Sequence, residues 1–194
     1  WAELHSVAAR SRDTRHEVRG RGGQFFNYLT LDQPEAAAGC LTDVARLLDE
    51  NPEMLPVEER LWHAANAARA LHEGEWPRAR AEAAETLAAI GRARFKFDLM
   101  EVFATPAEVL LSLLERGEAT TDETGAAVKV LTGYARTYAF ARPRALRLRG
   151  RAAWLTGKSG DAEKLWAKSL AQADALAMPH ERALTEEIIG RHKP

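Results

Sequence analysis

The residue types best suited to chemistry gather in Arg142-Pro143-Arg144-Ala145-Leu146-Arg147-Leu148-Arg149-Gly150-Arg151. Arg144, Arg147 and Arg151 stand at i, i+3 and i+7, so a helix carries them on one face, with Trp154 next along it. Guanidinium forks beside an indole can clamp a carboxylate or phosphate on a peptide or small ligand. The plainer reading is a solvated basic face that compensates nearby acidic helices.

Other motifs offer less. Gly157-Lys158-Ser159 resembles the end of a phosphate-binding P-loop, but the first glycine of that motif would fall on Ala152, and a helix rather than a strand precedes it. It reads as a turn between helices. Gly20-Arg21-Gly22-Gly23 has no Lys-Ser/Thr after it and no strand before it, so it too fails as a phosphate cradle. His63 and His72 are nine apart and His180 and His192 twelve apart, and none forms H-E-x-x-H or another ligand pair at helical spacing. No G-x-S-x-G elbow occurs, and Cys40 has no obvious histidine partner. Carboxylates stand mostly beside Arg or Lys on helix faces, the pattern of a solvated surface. The expectation is a chain that is not an enzyme, with no catalytic residue, no metal site and no cofactor.

Bulk properties are those expected of an ordinary soluble globular chain. The chain has 194 residues, 46% hydrophobic and 28% charged, enough for a substantial core. A formal net charge of −1 argues against a large electrostatic footprint for nucleic acid or anionic membrane. A single cysteine excludes an internal disulfide and suggests a reducing, cytoplasmic compartment. No apolar run approaches the ~18 residues of a membrane span. The first residue is Trp1, so the expectation is an excerpt of a longer or processed protein.

The elements that must position these residues are helices, because alanine is abundant and β-branched runs are scarce. The stretch Leu146–Leu170 reads as two helices turning at Gly157-Lys158-Ser159-Gly160, with Gly150, Ala162 and Trp166 in slots of the tetratricopeptide pattern and Arg149 outside it. The layout recurs at Gly74 to Ala79, and at Leu31 to Ala36 with Leu31 in the glycine slot. Gly117 lies 43 residues after Gly74 and 40 before Gly157, while Asp122 stands where alanine is expected. A period of 40 to 43, longer than the tetratricopeptide ~34, predicts an all-α, right-handed α-solenoid of about four helical hairpins plus a capping helix. The whole chain, 1–194, is expected to form one such domain with units at about 1–50, 56–92, 97–139 and 142–177 and a cap at 179–191.

Within these units the predicted helices are 1–14, 16–30, 33–50, 57–73, 76–92, 97–116, 121–139, 143–156, 160–177 and 179–191. The glycines at 20, 22 and 23 cost the second about 1 kcal/mol each, enough to break it. Asp32 is its successor's candidate N-cap, and Cys40 a small buried hydrophobe. Thr105-Pro106-Ala107-Glu108 either restarts a helix or kinks one long helix. Thr120 with Glu123 forms a second capping box.

Asp32-Gln33-Pro34-Glu35-Ala36, Gly74-Glu75-Trp76 with Ala79, Gly157 to Ala162, and the ending Ala175–Ala183 with Ile189-Gly190-Arg191-His192 resemble the C-terminal helical repeats of large bacterial signalling proteins. Those proteins join a serine/threonine kinase, nucleotide cyclase or LuxR/MalT-type DNA-binding domain to a STAND/AAA-type ATPase and then tetratricopeptide-like repeats. The resemblance implies a scaffold or sensor that binds a protein partner or an inducer and regulates the attached ATPase and output domain. The residues themselves leave two functions open. One is protein–protein interaction along a concave face lined by the first arm of each hairpin. The other is a small-molecule sensor holding an anionic or polar inducer near Arg144, Arg147, Arg151 and Trp154. An all-α enzyme, a nucleic-acid partner and a membrane partner are disfavoured.

Overall fold

The computed structural model describes residues 1–11, 13–92 and 99–192, and of residues 54–57 the backbone alone. Among these residues every regular element is helical: α1 Ala2–Ser11, α2 Thr14–Thr30, α3 Pro34–Glu50, α4 Leu55–His72, α5 Trp76–Arg92, α6 Met100–Glu115, α7 Thr121–Thr137, α8 Arg142–Leu155, α9 Ser159–Ala175 and α10 Pro179–His192. Short 3-10 turns at Pro52–Met54 and Ala139–Ala141 precede α4 and α8. No helix among the described residues is long and apolar enough to cross a membrane. Two compact units divide the chain, Trp1–Thr105 and Pro106–Pro194, with the division inside α6. The expected start of the α6 arm at 97 lies outside the described residues.

One turn chemistry recurs through both units. Gly74 has φ +76°, its N–H donates to the Leu71 carbonyl at 3.3 Å, and the Glu75 N–H donates to the Ala70 carbonyl at 2.8 Å. This is a Schellman helix end, in which a left-handed residue lets the last carbonyls find donors. The same pair of bonds closes α6 at Gly117 and α8 at Gly157. It closes α2 at Asp32 (φ +55°) and α9 at Ala177 (φ +50°), where a side chain tolerates the same strained region. Asp32 is therefore the turn residue rather than the N-cap of α3. The glycine slot falls on Asp32, not Leu31, and the alanine five residues on is buried Ala37, not exposed Ala36. Asp122 is exposed for a related reason: α7 starts four residues after Gly117, where α5 and α9 start two after theirs, and the inward position moves to buried Thr124.

In unit 1, α1, α3 and α4 pack on α2, and α5 packs on α4. The helix α2 runs unbroken through Gly20, Gly22 and Gly23. Neighbours occupy the space their side chains would take: a Cβ at Gly20 would lie 2.8 Å from His5 N, one at Gly22 2.7 Å from a Leu61 methyl, and one at Gly23 inside the Trp1 indole. Close helix approach offsets the glycine penalty. Cys40 is buried, its Sγ 3.8 Å from Gln24 Oε1, and burial pushes its thiol pKa up.

The helix α6 runs from Met100 to Glu115 with Pro106 inside it, so the Thr105–Glu108 box starts no new helix. Val102, Phe103 and Ala104 before the proline and Ala107, Leu110 and Leu111 after it are all buried, and that apolar continuity holds the helix through the missing N–H. The Thr120 box forms as expected: Thr120 N–H donates to Glu123 Oε2 at 2.9 Å and Glu123 N–H to Thr120 Oγ1 at 3.3 Å.

In unit 2, α7 and α9 both pack on α8, and α10 packs on α9 and α8. Gly150 admits the Trp166 indole, which leaves no room for a Cβ there and donates from Nε1 to the Arg147 carbonyl at 3.1 Å.

Candidate functional site

The helix α8 begins at Arg142 with Pro143 in its first turn, where a missing N–H costs nothing. At roughly 100° per residue its five arginines divide between two opposite faces. Arg144, Arg147 and Arg151 share one; Arg142 and Arg149, seven apart, share the other.

The first face is internal. Arg144 Nε donates to Glu181 Oε1 of α10 at 2.7 Å, and Arg147 Nη2 reaches Glu181 Oε2 at 3.4 Å and Glu108 Oε1 of α6 at 3.3 Å. Arg151 grips Glu115 of α6 through Nε at 2.8 Å and Nη2 at 2.7 Å, and also reaches Ser112 Oγ at 3.1 Å. Trp154 stacks on His192 of α10 with ring centres 4.9 Å apart, and lies 5.8 Å from Trp166. All four residues expected to meet a ligand thus have partners within unit 2, and join the first arms α6 and α8 to α10.

Glu181 is 2% exposed. Burial alone would raise its pKa, but Arg144 and Arg147 beside it hold the carboxyl below its ordinary value. Glu115 is held low chiefly by the hydrogen bonds from Arg151. Unit 1 has a comparable feature: Glu58, with its side chain fully buried, receives Arg15 Nε and Arg19 Nε at 3.2 Å each. Neither Glu58 nor Glu181 is the solvated surface carboxylate that adjacent basic residues suggest.

The second face of α8 is open. With α7 and α9 on either side, it floors a groove of about 550 Å³ with Arg136 on one wall, Lys168 on the other, and Arg142 and Arg149 from α8 itself. The groove continues along α8 past Arg149 to Lys164, where Asp161 is the one acid in the lining. Arg136, Arg142, Arg149, Lys164 and Lys168 are exposed, and among the described residues none has a carboxylate partner. Arg142 Nε is turned to the Ala135 carbonyl at 3.4 Å, which leaves its terminal nitrogens without a described partner. Between the cations the first stretch is lined by Ala135, Ala145, Leu146 and Ala171 with Thr132 and Gln172 beside them, and the second by Val128, Ala153 and Leu165.

Chemically this arrangement of cations suits negative charge. Its cations lie in a concave site with low-dielectric walls, which concentrates the field on whatever enters. No three His, Cys, Asp or Glu side chains among the described residues converge on a point that could hold a metal ion.

The groove cations were written in the sequence as Arg142 and Arg149 at i, i+7 and Lys164 and Lys168 at i, i+4. Spacing alone does not separate them from Arg144, Arg147 and Arg151, because both faces of α8 are basic and only the carboxylates of α6 and α10 distinguish them. No protein-family model, curated protein or solved structure matches the chain.

Proposed function

We propose that this chain is a non-catalytic interaction and regulatory module of a larger bacterial signalling protein, built as a tetratricopeptide-like α-solenoid and working in the cytoplasm. In this reading unit 2 does the binding, by receiving an anionic partner surface in the groove that α7, α8 and α9 form. The observation that carries it is the contrast on α8. Arg144, Arg147 and Arg151 are neutralised by Glu108, Glu115 and Glu181, while Arg142 and Arg149 join three further cations with no described carboxylate partner. The recurrence of one turn at positions 32, 74, 117 and 157 supports the repeat frame. A second reading, a small anionic inducer, draws on the groove volume of about 550 Å³, within the usual range for ligand sites.

The test is equilibrium binding of fluorescent poly-glutamate to the full chain, beside an Arg142→Glu/Arg149→Glu variant. The wild type should bind with an affinity that falls as salt rises, and the variant should lose at least ~10-fold. Absence of binding, or equal binding by the variant, removes the groove from the proposal.

A further inference from the structure

The layout of the groove's cations restricts what could occupy it. Arg142 and Arg149 are seven residues apart on α8, about 10 Å along the axis, and Lys164 and Lys168 are four apart on α9, about 6 Å. Since α8 and α9 form a hairpin, Arg142 stands at one end of the track. Arg149 and Lys168 share its middle, and Lys164 extends it past them. A single phosphate or carboxylate is held by donors converging to about 3 Å. These four cations are strung out along the α8–α9 hairpin, with Arg136 on the α7 wall, and suit a chain of charges.

The floor narrows it further. Ala135, Ala145 and Leu146 lead into Val128, Ala153 and Leu165, an aliphatic strip with Thr132 and Gln172 as its uncharged polar members. No aromatic ring is among the lining residues, whereas grooves for single-stranded nucleic acid stack bases on aromatic side chains. An aliphatic floor between cationic rims is the complement of an amphipathic helix that carries carboxylates beside its apolar stripe. In such a helix, acids at i, i+4 and i+7 fall about 6 and 10 Å apart, the spacings of the track.

Resting on the reading above, we infer that the groove of α7, α8 and α9 docks an acidic amphipathic helix from a partner protein. Leucine-like side chains would lie on Leu146 and Leu165, and its carboxylates would meet Arg142, Arg149, Lys168 and Lys164. Docking is on the second-arm side of the hairpins, opposite the first-arm face of α8 that Glu108, Glu115 and Glu181 occupy.

Fluorescence anisotropy on the full chain tests this with three probes. They are a labelled helical peptide with leucines at i, i+3, i+4 and i+7 flanked by glutamates, a scrambled peptide of the same composition, and an oligothymidylate of similar charge. The amphipathic peptide should bind at least ~10-fold tighter than the scrambled one, since only it can bury its leucines together. Leu146→Gln/Leu165→Gln should erase that preference and leave scrambled-peptide binding unchanged, while Arg142→Glu/Arg149→Glu should weaken both peptides. Circular dichroism and melting of each variant confirm that it is folded. Equal binding of the two peptides, or tighter binding of the oligothymidylate, overturns the acidic helix and leaves the anion-binding groove standing. If no probe binds, both fall.

Discussion

Replacing Glu181 with glutamine keeps the side chain's shape and removes its charge, and the structure sets the cost. The residue is 2% exposed, 2.7 Å from Arg144 Nε and 3.4 Å from Arg147 Nη2. Glu108 stands 3.8 and 3.3 Å from the same two arginines and would remain. Removing one member of a buried ion pair costs about 3–5 kcal/mol, because the survivor is left uncompensated. With Glu108 still neutralising part of the charge, the lower end applies, about 3 kcal/mol. For a chain of 194 residues each kcal/mol moves Tm by about 2–4 °C, so Glu181→Gln should melt about 6–12 °C lower. The pH dependence adds a sign. Because the folded pKa of Glu181 is depressed, its contribution is complete above the unfolded value of about 4.3 and disappears as pH falls through the folded value. Paired thermal and urea melts from about pH 7 down to about pH 3 should therefore show a gap that is full at neutrality and narrows below about pH 4. A gap under ~1 kcal/mol at neutral pH, or one that persists unchanged into acid, refutes the claim that this network holds α10 to α8.

The same melts check three further expectations. Gly150→Ala should destabilise by about 1–3 kcal/mol, because its methyl would meet the Trp166 indole, while Gly39→Ala, with nothing within 4 Å, should stabilise by about 0.5–1 kcal/mol. Asp32→Gly should leave the chain unchanged or slightly more stable and Gly157→Ala should cost about 1–2 kcal/mol, since both positions are left-handed. Thr120→Ala should cost about 1 kcal/mol through loss of the capping box that opens α7, seen as an earlier urea midpoint.

Most of the helical layout was legible in the sequence because its signals are local. The boundaries of α5 and α9, the Thr120–Glu123 box and the turns at Gly74, Gly117 and Gly157 depend on residues within one or two turns of each other. The one-residue slip at Leu31 also has a local cause: a turn position normally filled by glycine is filled by Asp32, and hydrophobicity gives no sign of a left-handed φ. The continuity of α2 was not legible. Whether three glycines break a helix or let others approach depends on His5, Trp1 and Leu61, which composition near Gly20 cannot report.

The candidate site divides along the same line. By itself the sequence determined that α8 is a basic helix, that Gly150 takes a close neighbour and that α9 repeats lysines at one-turn spacing, because these follow from residue type and the 3.6-residue period. Only the tertiary structure decided which arginines are available. Glu108, Glu115 and Glu181 lie between 30 and 40 residues from the arginines they neutralise, so their pairing is set by how α6 and α10 pack on α8. Long-range charge pairing leaves no local trace in a sequence, and here it separates the face of α8 whose arginines are paired from the face whose arginines are exposed.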